Sequence, residues 1–302
     1  MSDELFNPPR TSFAGILPHP TAFDEAKVIV LPVPYDSTTE YKSGARDGPQ
    51  AIIDASQYLE LYDAELDREP SEAGICTMPE VQPVMDSPQQ MVERVHHIAT
   101  DLLGEGKLLA MLGGEHSLTI GMVTAFRDRY PDLSVLQLDA HADLRDQYMG
   151  TKYSHACVMR RVWELCPFVQ VGIRSMSREE HRFLEQHQIE PFYAEALTEP
   201  DCADLVVSRL SPQVYISIDL DVLDPSIMSA VGTPEPGGIS WQQILELLKA
   251  TAGNRQIVGF DVVELCPREG PTSCAFLAAK LAYKLMGYAT FPLDTPHEAR
   301  AL

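Results

Sequence analysis

Asp139, His141 and Asp143 stand at alternate positions directly after the apolar run of 135–138, in the stretch SVLQLDAHADLRD (134–146). In an extended chain, residues i, i+2 and i+4 share one face. Two carboxylates and an imidazole would then converge on one small volume. Carboxylates that close together repel and are costly to bury, and a cation among them removes the cost. The competing reading is a strand that runs into a solvated loop, where the same residues are merely polar.

Further groups of this kind end other apolar runs. His116 follows KLLAMLGG, Asp219 and Asp221 close VYISIDLD, and Glu264 closes VGFDVVE. The ligand candidates are therefore His116, Asp139, His141, Asp143, Asp219 and Asp221, four carboxylates and two histidines. One divalent ion rarely needs so many, whereas two ions about 3.5–4 Å apart would use them, with carboxylates bridging. Oxygen-rich ligation without thiolate favours Mn²⁺ over Zn²⁺. Four negative ligands offset two dications and leave room for a hydroxide between them, since a bridged water loses a proton near neutral pH. A two-metal phosphoesterase is the rival at this stage. It usually brings a G-N-H-[DE] segment and a basic phosphate clamp beside the ligands, and this sequence has neither.

The elements that must position these groups alternate in type. Strands are expected at 27–34, 72–78, 107–113, 134–138, 168–175, 189–193, 213–224 and 255–265. Helices are expected at 47–63, 87–103, 118–130, 154–166, 177–188, 202–210, 240–252 and 273–289, the first with Asp47 as N-cap and Pro49 in its first turn. Apolar strands alternating with helices imply a parallel sheet covered on both faces, with ligand sites at the carboxyl ends of the strands. Residues 1–26 read as irregular. With no linker or internal repeat, one domain over 1–302 is the economical organisation.

Composition narrows the class. The net charge of −21, from 23 basic and 44 acidic residues, disfavours nucleic acid and anionic membranes as partners and suits metals and polyamine-like substrates, although solubility alone would also account for it. The opening MSDELFNPPR is no signal peptide, no apolar run reaches the length of a membrane span, and six scattered cysteines suit reduced, buried thiols, so a cytoplasmic location is expected. Other residues read blandly: His96, His97, His181, His187 and His297 as surface or packing groups, Cys157 as a packed thiol, Asp224 and Pro225 as turn formers. Gly113 and Gly114 let the backbone pass closely under the ligands.

Together the segments GGEHS (113–117), DAHADLRD (139–146), YSHA (153–156), SIDLDVLDPS (217–226), GTPEPGG (232–238) and DVVEL (261–265) resemble the ureohydrolases, the family of arginase, agmatinase and their relatives. The resemblance implies an arginase-type three-layer α/β fold with a central eight-stranded, mainly parallel sheet, and two Mn²⁺ per chain. It implies Asp139 and Asp219 as bridging carboxylates, with His116 and Asp143 completing one ion's shell and His141 and Asp221 the other's. Glu264 matches the acid that grips the substrate guanidinium, a planar cation that pairs bidentately with a carboxylate. His155 matches a mobile histidine that shuttles protons at the site mouth, although Ala156 follows it where many members have glycine. Asp143, His155 and Glu264 are thus the catalytic candidates, Glu264 and His155 also touching substrate. The resemblance further suggests trimers or hexamers.

The substrate tail is read from two loops. Arginase-like members hold an amino-acid head group there, but this sequence has Leu144, Arg145 and Asp146 in one and Ser175, Met176 and Ser177 in the other, which look like agmatinases. The expected reaction is agmatine plus water giving putrescine and urea, with guanidinobutyrate and aminopropylagmatine as alternatives. Arg145, Lys152 and Arg174 are the nearby cations that a substrate carboxylate would have to use. A catalytically silent metal-binding protein on the same fold is the alternative from another class.

Overall fold

The computed structural model describes residues 6–7, 11–15, 21–104 and 106–293. Among these residues ten strands form: β1 (Phe6–Asn7), β2 (Val28–Val33), β3 (Ile75–Thr77), β4 (Glu80–Val81), β5 (Leu108–Gly113), β6 (Leu133–Leu138), β7 (Phe168–Ile173), β8 (Phe192–Tyr193), β9 (Gln213–Asp219) and β10 (Gln256–Val263). Eight of them build one sheet in the order β3-β2-β5-β10-β9-β6-β7-β8, every registered pair parallel. The α-helices are α1 (Gly48–Ser56), α2 (Pro88–Leu102), α3 (Thr119–Arg129), α4 (Val158–Trp163), α5 (Arg178–His187), α6 (Cys202–Ser208), α7 (Trp241–Asn254) and α8 (Thr272–Thr290).

The alternation of strand side chains divides the core in two. Val28 and Val30 of β2 face a cluster that includes Ile52 of α1, Val206 of α6, Leu247 of α7 and much of α8. Ile29, Leu31 and Val33 face the other cluster, with Val95 of α2, Phe126 of α3, Val158 of α4 and Phe183 of α5. The sheet is therefore buried on both faces, which is why its central strands are continuously apolar rather than alternating. Each fully buried Leu, Ile or Phe contributes roughly 1.5–3 kcal/mol. This is the expected three-layer α/β domain with an eight-stranded parallel sheet.

Several boundaries differ from the sequence reading. The helix expected over 47–63 stops at Ser56, and Asp47 makes no side-chain cap; its carboxylate lies 2.9 Å from Arg268 instead. The helix expected over 154–166 begins as a 3₁₀ turn at His155–Cys157 and is α-helical only from Val158 to Trp163. The segment 1–26 is not wholly irregular. Phe6–Asn7 pairs antiparallel with Glu80–Val81, and Phe13–Gly15 forms a 3₁₀ turn whose Phe13 is buried. Of that segment, residues 1–5, 8–10 and 16–20 lie outside the described residues, as does His297.

Candidate active site at the carboxyl ends of four central strands

The four adjacent strands β5, β10, β9 and β6 all end at one rim. His116 follows β5 in a tight turn that Gly114 makes possible, because a Cβ on Gly114 would lie 1.9 Å from the Tyr35 carbonyl oxygen. Asp219 ends β9, and Asp221 follows in a 3₁₀ turn. Asp139, His141 and Asp143 follow β6, and Glu264 follows β10.

Asp139 lies between two groups of donor atoms. Its Oδ2 is 3.1 Å from His116 Nδ1, and the same nitrogen lies 3.1 Å from Asp143 Oδ2 and 3.5 Å from Asp219 Oδ2. On its other side, Asp139 Oδ1 accepts the His141 backbone N–H at 2.6 Å and lies 3.7 Å from His141 Nδ1. His141 Nδ1 in turn is 2.8 Å from Asp221 Oδ2. Two sets, His116–Asp139–Asp219 and Asp139–His141–Asp221, bring their donor atoms within 4.8 Å of one another. The chain does not stay extended through the motif. Asp143 has φ 51°, a left-handed bend that turns it to His116 while His141 faces Asp221.

The donor set fits a divalent cation. His116 is fully buried, and its Nε2 lies 2.9 Å from Ser217 Oγ, whose hydroxyl donates to Asp261 Oδ1 at 2.7 Å. Thr119 and Tyr215 donate to Asp261 Oδ2 at 2.9 and 2.6 Å, so that buried carboxylate is filled. The His116 Nε2 must then carry hydrogen, and Nδ1 is left without a hydrogen-bond partner, facing three carboxylates. A cation held among these groups relieves that arrangement. Burial alone would lower the basicity of His116, but Asp139 and Asp143 push it well above the usual histidine range. Burial, together with the Asp139 charge, pushes Asp143 up to about 6.

Glu264 is nearly buried and, like Asp143, left-handed, at φ 65°. Its N–H donates to the Gly114 carbonyl at 2.8 Å, and its Oε1 accepts the His116 N–H at 2.7 Å. Two non-glycine residues at positive φ in one site are costly and persist only because their surroundings fix them. Burial pushes Glu264 up to about 7, against the opposing charge of His155. His155 opens its 3₁₀ turn with Nδ1 3.0 Å from Thr38 Oγ1 and Nε2 3.0 Å from Glu40 Oε2. Burial would lower its basicity, but the bond to Glu40 and the charges of Glu264 and Asp143 raise it to about 9.

Asp139 is fully buried, while His116, His141, Asp143, His155, Asp219, Asp221 and Glu264 line one cavity of about 230 Å³. Of the three cations expected near the tail, only Arg145 lines it, stacked 4.7 Å from the Tyr148 ring centroid and 3.9 Å from Glu180. Arg174 is directed at backbone instead, donating to the carbonyls of Asp221 at 2.6 Å, Glu235 at 2.8 Å and Gly172 at 3.1 Å. Lys152 is exposed, 3.9 Å from Asp146. Lys42, which the sequence reading missed, lines the cavity and pairs with Glu269 at 3.1 Å.

Residues read blandly stay apart from the site. His96 meets Asp128 and His181 meets Glu185, while His187 packs on Trp163 and Phe183. Cys157 is buried, and burial pushes its thiol up to about 11, so it offers no thiolate. Asp224 accepts the N–H groups of Ser226, Gly237 and Gly238 and shapes the turn. The supporting residues Gln137, Gln170, Ser217 and Asp261 were not singled out, yet their signal was present: each is a polar side chain flanked by apolar neighbours within a strand, and all four are buried.

A family model described as the arginase family matches residues 26–287. An N(1)-aminopropylagmatine ureohydrolase of Synechocystis sp. is 38% identical over 280 residues, 89% of this chain and 90% of the relative. An enzyme of the same name from Thermus thermophilus is 40% identical over 269 residues, 88% of this chain and 92% of the relative. Among solved structures, an agmatine ureohydrolase of Thermoplasma volcanium superposes with a TM-score of 0.81 at 32% identity, covering 89% of this chain and 91% of the other.

Proposed function

The chain belongs to the arginase family and is a ureohydrolase, and we propose that it uses two Mn²⁺ to release urea from a guanidino compound with a polyamine tail, N(1)-aminopropylagmatine first and agmatine second. Agmatine was the first expectation from the loop sequences. The aminopropyl tail moves ahead because both relatives described above carry that activity in their names, while the Thermoplasma volcanium structure keeps agmatine as the second reading.

One observation carries the choice of a cationic tail. Three acids outside the proposed ligand set line the cavity (Glu40, Glu180 and Glu264), while its Lys and Arg residues, Lys42 and Arg145, already face acids of this chain. A carboxylate entering there meets like charge, whereas an ammonium does not.

In this reading His116, Asp139, Asp143 and Asp219 would hold one ion and Asp139, Asp219, His141 and Asp221 the other. Two dications so placed supply an activated water at neutral pH. Glu264, fixed by the His116 amide, orients the guanidinium and offsets its charge. The departing amine needs a proton, which His155 is placed to give, with Asp143 positioned to accept one from the attacking water. The products from N(1)-aminopropylagmatine are urea and spermidine, and from agmatine urea and putrescine.

The same reading treats 1–302 as one working unit, assembled as a trimer or hexamer, which sedimentation of the manganese-loaded protein tests. Six free cysteines support a cytoplasmic setting, and no helix among the described residues is long and apolar enough to cross a membrane.

The deciding experiment is urea release after manganese loading, with N(1)-aminopropylagmatine, agmatine, guanidinobutyrate and arginine. The two polyamine substrates should exceed arginine by about a hundredfold or more in kcat/KM, the cost of burying an unpaired carboxylate among acids. Equal rates with arginine would overturn the tail assignment. Urea from none of the four would overturn the substrate class.

A further inference from the structure

We infer that Thr38 fixes the tautomer of His155, so that Nδ1 permanently carries hydrogen and Nε2 is the nitrogen that exchanges a proton with the substrate. The constraint starts one residue before His116. Glu115 is fully buried, and a carboxylate can only accept hydrogen bonds. Its Oε2 takes the N–H groups of Ser37 at 2.6 Å and Thr38 at 2.7 Å. Its Oε1 takes the Ser117 hydroxyl and lies 3.0 Å from Thr38 Oγ1.

Thr38 has one hydroxyl proton and two claimants for it. His155 Nδ1 also lies 3.0 Å from Oγ1. Were the proton directed at Nδ1, Thr38 Oγ1 and Glu115 Oε1 would face each other at 3.0 Å, buried and with no hydrogen between them. The charge-assisted bond to the carboxylate is the stronger of the two, so the proton goes to Glu115. Thr38 Oγ1 is then purely an acceptor towards His155. It takes the His155 backbone N–H at 3.1 Å and, on its other lone pair, Nδ1–H.

The ring therefore presents Nε2 to the cavity, where in the protonated ring Nε2–H donates to Glu40 Oε2 at 3.0 Å; Glu40 is exposed and can turn to water when that proton leaves, a freedom that buried Glu115 and Thr38 lack. The other hydroxyl near Nδ1, Ser154 Oγ, is the more distant one, at 3.4 Å against 3.0 Å for Thr38 Oγ1, and it accepts the Ala156 N–H. The remaining groups around the ring are the Tyr148 edge and the charges of Glu264 and Asp143. Glu115 thus ties the turn that carries His116 to the histidine across the cavity, and Thr38 is a positioning residue that acts through His155. A histidine whose second nitrogen is pinned keeps its reactive nitrogen aimed at the substrate.

The catalytic part of this inference rests on the reading of His155 as proton donor; the tautomer itself does not. The first test needs no substrate: ¹⁵N spectra of histidine-labelled protein loaded with diamagnetic Mg²⁺, with the His155 signal assigned by its loss in His155→Asn. Once alkaline pH has neutralised the ring, Nδ1 should resonate as a protonated, pyrrole-type nitrogen and Nε2 as pyridine-type. The reverse pattern would overturn the inference. The second test is Thr38→Val, which keeps the shape and removes the hydroxyl. Its kcat should fall about tenfold to a hundredfold, the range of a misdirected proton transfer. KM and metal content should stay near wild type, and Thr38→Ser should recover most of the loss. An unchanged kcat in Thr38→Val would overturn it as well. If no guanidino compound yields urea, the spectra still decide the tautomer and the proposed function fails alone. If urea is released while Nε2 carries the hydrogen, this inference fails alone.

Discussion

Two clusters of carboxylates in this molecule solve the same electrostatic problem in opposite ways. At the strand ends, Asp139, Asp143, Asp219, Asp221 and Glu264 gather around two imidazoles, and Arg174, which reaches the Asp221 carbonyl, spends its guanidinium on backbone. At the far end of α8, Asp63 and Glu65 meet Lys284 Nζ at 2.8 Å each, and Glu65 also meets Lys249 at 2.8 Å. Tyr288 donates to Glu65 at 2.6 Å and closes that cluster. The second cluster carries its own counter-charges and has nothing left to bind. The first lacks them, and its deficit is what makes it a site for external cations. Glu264, with no paired lysine or arginine, is pushed up to about 7 by burial, whereas the hydrogen bonds to Glu65 override its burial and hold it at about 2.

The sharpest way to break this contrast is to remove the shared ligand. Asp139→Asn should lose both ions or hold them only weakly, because Asp139 faces both donor sets, and turnover should fall by about a thousandfold or more. Metal analysis of the purified variant that still finds two tightly held ions per chain would sink the bridging assignment. The balanced cluster should respond in stability instead. Lys284→Met leaves Asp63 buried beside Glu65 without its cation, and breaking such a pair costs about 3–5 kcal/mol. Chemical denaturation measures that cost, and kcat of the folded fraction should not change. A fall in kcat at unchanged stability would mean that the two regions are not independent.

Glu264→Gln separates charge from shape within the acidic cluster. The amide can still accept the His116 N–H, so both ions should remain, but the anion that a guanidinium needs is gone. A drop of about a hundredfold in kcat/KM is expected, equivalent to about 2.7 kcal/mol. Wild-type turnover in this variant would show that the guanidinium is held elsewhere.

How far the sequence revealed these two clusters also differs. The acidic site was legible because each ligand candidate directly follows an apolar run, and a parallel sheet sends all such ends to one rim. The eight strands and eight helices of the layered fold were legible from the alternation of hydrophobic period, although the ends of α1 and α4 were not. The balanced cluster was not, since Asp63 and Lys284 lie 221 positions apart and no local pattern links them. The Thr38–Glu115–His155 chain was hidden likewise, its partners 77 and 117 positions apart. The left-handed turns at Asp143 and Glu264 left no mark either, because neither residue is the glycine that usually announces one. The tail of the substrate was read only to its charge; the choice between agmatine and its aminopropyl derivative came from the relatives.

The smallest effect concerns acid, and its sign follows from the balanced cluster. Burial would raise Glu65, but bonds from Lys249, Lys284 and Tyr288 outweigh it and lower the carboxyl from 4.5 to about 2. A group whose folded pKa is depressed stabilises the fold fully above its unfolded pKa and loses that contribution as pH falls through the folded one. The stabilisation from Glu65 should therefore be complete above about pH 4.5 and fade towards pH 2. Because Glu65 is partly exposed, solvent screens the pair and the effect on stability is modest. Thermal melting of the wild type and Glu65→Gln across that window would read it. The two curves should converge as the pH drops, the wild type losing its advantage. A constant gap between them down to pH 2 would show that Glu65 is held by packing rather than by its charge.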